Sequence, residues 1–174
     1  MFEDYLKDCH FFFNEGLKKS EEKEAKRYFR ASVFYAASSI EAFSNYIADT
    51  FNKGNSLSQI EIAFLLDKKI ILDIDKIETK EVIEYHRIED KLKIFLKKFA
   101  RKFDFGCKEW SRFLEFKKFR DRLTHPKETD DEISINDYKK NIKNGLSSII
   151  FIMNYISKGV FGKPLRKKLL DLVP

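Results

Sequence analysis

Little in this chain suits it to a small all-β or disulfide-stapled fold. Its 174 residues include only six Gly and three Pro, too few for the repeated tight turns of a small β-barrel or sandwich. The two cysteines, Cys9 and Cys107, match no metal-ligand or redox spacing and imply no disulfide framework. No apolar run approaches the length that spans a bilayer. The start, Met1-Phe2-Glu3-Asp4-Tyr5, lacks the basic region and apolar core of an export signal, so the cytoplasm is the expected location. There is no glycine-rich phosphate loop. The three histidines, His10, His86 and His125, show neither zinc-type spacing nor a paired-carboxylate motif beside them. No cofactor or metal is therefore expected.

What remains is rich in Lys, Glu, Ile and Phe, with 18 Phe and 7 Tyr to fill a core. This composition predicts a single, all-α domain, an antiparallel bundle of about five or six helices. Phe2, Tyr5, Leu6, Cys9, Phe12, Phe13 and Leu17 are spaced along one face of a first helix over 3–18, weakened near its end by Gly16. A second helix, from Glu21 to about Phe51, would be roughly 45 Å long at about 1.5 Å per residue. Ser20 is placed to cap it, and Gly54 and Asn55 to end it. Its stripe runs Phe29, Val33, Ala36, Ala37, Ile40, Phe43, Ile47 and Phe51, and its small residues allow close approach of another backbone. Glu41 falls near this stripe, where a carboxylate calls for a basic partner, as support for a site or as a structural ion pair, unless it lies exposed at the stripe's edge. A short helix is expected over 56–66. Residues 70–88 are ambiguous, since Ile70 to Ile74 fits a brief strand or an irregular crossing. Further helices are expected from Ile88 to about Phe103, from Lys108 to Thr124, from Ser134 or Asn136 through Ile156, and from Pro164 to Leu172.

The net charge of +6 is unevenly distributed. Residues 91–127 hold 13 Lys or Arg against 4 acids, whereas residues 61–90 hold 5 against 9. A basic segment of this kind attracts polyanions if its charges share one surface, and is otherwise a solvated helix face. Within it lies the one stretch where versatile residue types converge, Phe119-Arg120-Asp121-Arg122-Leu123-Thr124-His125-Pro126. Pro126 disfavours the α conformation at His125, which frees the imidazole to swing toward Arg120 at the helix end. Arginine offers a rigid fork of donors to a phosphate, and imidazole is the side chain that exchanges protons near neutrality. Asp121 is placed to orient either residue, and Thr124 shares the face of Arg120 one turn on. Lys117, Lys118, Arg122 and Lys127 are the candidate contacts to an RNA backbone. This set suits metal-free cleavage of an RNA phosphodiester. It equally suits a bland helix cap, with His125 on free carbonyls and Arg120 paired with Glu41.

The stretch resembles the Arg-x4–6-His signature of the HEPN domains, in which a polar residue commonly follows the arginine. Tyr28 to Phe43, with its Ala-rich section before Glu41-Ala42-Phe43, resembles the long upstream helix of many members. The resemblance spans roughly residues 20–157. It implies an all-helical, commonly dimeric domain and, in active members, a metal-independent ribonuclease whose key residues match Arg120 and His125. Asp121 matches the supporting polar position. It further implies roles as toxins paired with nucleotidyltransferase-like antitoxins or other inhibitor proteins, in antiphage defence, or in RNA processing. Other members are catalytically inactive RNA-binding or protein-interaction modules.

Overall fold

A computed structural model describes residues 1–52, 56–127 and 132–173. The expected stop at Gly54-Asn55 and most of the acidic loop 128–132 lie outside the described residues. Among those described, seven helices and one hairpin follow in order: α1 (Phe2–Leu17), α2 (Glu22–Asn52), α3 (Gln59–Leu65), β1 (Lys68–Asp73), β2 (Glu78–Ile83), α4 (Ile88–Phe99), α5 (Lys108–Thr124), α6 (Ile135–Phe161) and α7 (Lys167–Leu170). The protein is mostly helical. No described helix is long and apolar enough to cross a membrane.

The 31-residue α2 is the element the others pack on, and it meets α1, α6, α4 and α5. Phe29, Val33, Ala36, Ile40, Phe43 and Ile47 recur at three- and four-residue intervals and are all buried. The small residues between them let α1 approach, and the Ser32 hydroxyl, fully buried, donates to the Cys9 carbonyl at 2.9 Å. Gly16 does not break α1. It is buried against Phe29, where a Cβ would sit 2.7 Å from the ring edge. Trp110, Phe113, Phe116 and Phe119 form the buried stripe of α5, and the Phe116 ring occupies the space a side chain at Gly145 would need. Gly159 of α6 abuts the Phe99 carbonyl at the end of α4, where a Cβ would lie 2.4 Å from the oxygen.

Several element ends differ from the sequence expectations. The helix beginning at Ile88 stops at Phe99, because Ala100 leaves the helical region (φ −129°, ψ 53°) and a turn carries the chain to Phe103. The last helix has four residues rather than nine. The long sixth helix runs past Ile156 to Gly162, whose left-handed φ of 66° ends it. Ser134 starts that helix with a reciprocal cap to Asp137, and Ser58 does the same for α3 with Glu61. The ambiguous segment is an antiparallel hairpin, Lys68 opposite Ile83 and Asp73 opposite Glu78.

Candidate functional site

Helix α5 delivers the Arg120 stretch to the surface because its apolar stripe fixes its rotation. With Phe116 and Phe119 inside, Arg120 falls at the edge of the buried face and is 25% exposed. Its guanidinium meets two carboxylates. One terminal nitrogen lies 3.9 Å from Glu41 Oε1 on α2, and Nε lies 3.1 Å from Asp121 Oδ1. The Nε–H makes no hydrogen bond, so the attraction to Asp121 is Coulombic rather than directional. Asp121 Oδ2 in turn accepts a hydrogen bond from Lys117 Nζ at 3.2 Å. Lys117 also reaches Glu89 Oε1 at 3.6 Å, which ties the first turn of α4 to α5.

Glu41 lies at the edge of the apolar stripe rather than within it. Its side chain is 53% exposed, because the stripe on α2 passes to the side of it through Ile40 and Phe43. Its contact with Arg120 is accordingly long and partly solvated.

His125 follows the last helical residue. Its φ of −128° and ψ of 65° lie outside the α region, as a following proline requires. Its backbone N–H closes the last turn on the Asp121 carbonyl at 2.8 Å. The imidazole is exposed and, among the described residues, has no hydrogen-bond or ion-pair partner. Thr124 is accounted for differently: its hydroxyl donates to the Arg120 carbonyl at 2.9 Å, one turn back along its own helix.

The four cations expected to hold RNA do not form one cluster. Arg122 lies two positions beyond Arg120, about 200° around the helix, and faces the other way. With Lys127 it lines a cleft of about 340 Å³ that Lys26 and Arg30 of α2 share, with Glu132 at one side and Tyr138 behind. Lys26 is held there by carboxylates of Glu22 and Glu132, each at 2.8 Å. Hydrogen bonding to these two, Glu132 first, raises the Lys26 pKa above the ordinary lysine value. Lys117 is engaged by acids beside Arg120. Lys118 is exposed and, among the described residues, makes no ion pair.

On the other side of Glu41 lies a smaller, mostly polar cavity of about 190 Å³, lined by Asn45, Asp67, Tyr85, His86, Ile88 and Lys91 besides Glu41 itself. Sequence reasoning missed these residues as a group. Asn45 stands one turn from Glu41, so that pairing was open to inspection. The rest arrive through the return of the hairpin, which no spacing revealed. Among the described residues no three His, Cys, Asp or Glu side chains cluster as metal ligands would.

No protein-family model, no curated protein and no solved structure matches this chain.

Proposed function

We propose that this protein is a HEPN-type, metal-independent endoribonuclease acting on single-stranded or looped RNA, in the manner of a toxin or antiphage-defence component. The observation that carries the reading is the end of α5. An exposed imidazole at His125, unengaged among the described residues, stands just past a guanidinium that Asp121 and Glu41 hold from two sides. In this chemistry the 2′-hydroxyl gives up its proton and attacks phosphorus, and the bond to the 5′ oxygen breaks. The departing oxygen takes a proton, leaving a 2′,3′-cyclic phosphate and a 5′-hydroxyl. His125 serves as the proton-transfer group, while Arg120 stabilises the charge gathering on the phosphoryl oxygens.

One imidazole does not serve both sides of an in-line displacement. A homodimer with a two-fold axis near α5 brings a second His125 to the same phosphate. Arg122 and Lys127, in their cleft, are suited to the RNA backbone away from the scissile bond. A nucleotidyltransferase-like antitoxin, or another inhibitor protein, is the partner class this reading carries.

The test is cleavage of a mixed-sequence RNA in excess EDTA. Cyclic-phosphate ends are expected, and His125→Ala is expected to lower the rate about 10²–10⁴-fold with the helical circular dichroism unchanged. Turnover abolished by EDTA, or an unaffected His125→Ala variant, would remove the mechanism. A second reading draws on the two carboxylates already flanking Arg120: an inactive HEPN-like module that binds RNA or protein. It predicts salt-sensitive RNA binding without product, indifferent to His125→Ala.

A further inference from the structure

The cavity beyond Glu41 has walls that are fixed and polar groups that are not used. Asp67 builds the wall. It adopts a left-handed φ of 56°, and its backbone carbonyl accepts from the Glu84 N–H at 2.9 Å. Its carboxylate accepts from the His86 backbone N–H at 2.8 Å and from Lys91 Nζ at 2.6 Å. Both Asp67 oxygens are thereby occupied. The His86 ring lies flat on Phe64, with centroids 3.8 Å apart and planes within 17°. Its Nε2 is buried and, among the described residues, has no hydrogen-bond partner, so the ring forms wall rather than a contact to a ligand.

Three groups have capacity to spare. Among the described residues the Glu41 carboxylate has only its 3.9 Å contact with Arg120. The Asn45 amide is exposed and, among the described residues, unbonded. Lys91 gives one N–H to Asp67, and an ammonium has three. At the rim the Tyr85 ring, 85% exposed, offers a face for stacking. The volume of about 190 Å³ falls below the ~300–1,000 Å³ of pockets that enclose whole ligands, and suits a single ring system.

We propose that this cavity holds a guanine base of the RNA, next to the phosphate on Arg120, an inference that rests on the nuclease reading above. Among the four RNA bases only guanine presents two adjacent N–H donors, N1–H and the N2 amine, on its Watson–Crick edge. A carboxylate such as Glu41 accepts both in parallel. The O6 acceptor next to them meets Lys91 or the Asn45 amine. Adenine and cytosine set an acceptor beside their single amine, and uracil flanks its N–H with two carbonyls. Each of these leaves an acceptor facing a Glu41 oxygen. Single-stranded RNA is commonly read in this way, by edge contacts to a base stacked on an aromatic ring. Glu41 then joins the base to the chemistry, since it faces the cavity on one side and Arg120 on the other.

The experiment titrates the full chain calorimetrically with GMP, AMP, CMP and UMP, and separately maps cleavage sites in a mixed-sequence RNA in EDTA. GMP is expected to bind about 5- to 150-fold tighter than the others, the range a bidentate base contact supplies. Cuts are expected to cluster beside guanines. Glu41→Gln, which replaces one acceptor with a donor, is expected to abolish the preference, and Asn45→Ala to reduce it, with thermal unfolding confirming that both variants fold. Equal binding of the four nucleotides together with base-indifferent cutting would overturn the guanine site while leaving the nuclease intact. Selective GMP binding without cleavage would support the site and remove the nuclease reading. A 2′-O-methyl oligonucleotide carrying one guanine is expected to displace GMP, and its failure to do so would overturn the assignment to RNA in favour of a free nucleotide.

Discussion

Replacing Arg120 with alanine separates a functional guanidinium from a structural one, because the two roles predict opposite balances of stability and rate. The ion pairs it makes are partly solvated: Arg120 is 25% exposed, Asp121 42% and Glu41 53%. Pairs of this kind contribute at most about 1 kcal/mol. The lost methylenes beyond Cβ, about three-quarters buried, add about 1 kcal/mol at ~0.8 kcal/mol each. No charge is stranded in the interior, since both carboxylates turn to water. The sum of about 2 kcal/mol corresponds to a fall in Tm of about 4–8 °C for a chain of this size. Loss of a group that stabilises charge at the reacting phosphate lowers the rate about 10²–10³-fold. Differential scanning calorimetry and cleavage of a fluorescent RNA in EDTA measure both. A fall in Tm beyond about 15 °C, or a rate within threefold of the parent, would refute the assignment and make Arg120 a structural strut.

Other variants test the packing and the charges. Gly159→Ala sets a methyl 2.4 Å from the Phe99 carbonyl oxygen, which no rotamer can relieve. Overpacking of about 1–3 kcal/mol is expected to outweigh the helix-propensity gain of about 1 kcal/mol, lowering the urea midpoint. Gly106→Ala meets only the Asp104 side chain and is expected to change that midpoint little. Burial pushes the Cys9 thiol up to about 12, so at pH 8 iodoacetamide is expected to alkylate half-buried Cys107 and to reach Cys9 only after unfolding. The Glu61 carboxyl is held below its ordinary 4.5, chiefly by hydrogen bonds from Lys98 and then from the Ser58 N–H. Its contribution is therefore present above pH 4.5 and lost as pH falls through the lowered value in the folded state. The stability difference between the parent and Glu61→Gln, taken from urea midpoints, is expected to be larger at pH 7 than at pH 3.

The long helices could be read from spacing alone, since α2 and α5 must each bury a stripe and only one rotation does so. Pro126 likewise announced that His125 would leave the helix. The hairpin was hidden for a physical reason. Lys68 to Asp73 does not alternate apolar with polar, and none of its six residues is fully buried. Its turn also lacks a glycine or asparagine, for Ile77 itself takes a φ of 54°. Without the hairpin, nothing brings Tyr85, His86 and Lys91 to Glu41. The basic segment left open whether its 13 cations share one surface, and spacing along 37 residues does not decide it: helix rotation sends Arg120 and Arg122 apart and acids claim Lys117. Glu41, expected near the stripe with a basic partner, sits at its edge, about half exposed, and meets Arg120 at 3.9 Å.

The Asp67 clasp fastens the hairpin at its base, while Ile74 and Ile77 at its tip are bare to water and touch none of the core. The tip is thus a ready anchorage: a fluorophore, or even a small inserted domain, placed between Asp75 and Lys76 would ride clear of the bundle. Such a reporter would sit on the same ribbon that carries the chain to His86, and so signal occupancy of the neighbouring cavity without entering it.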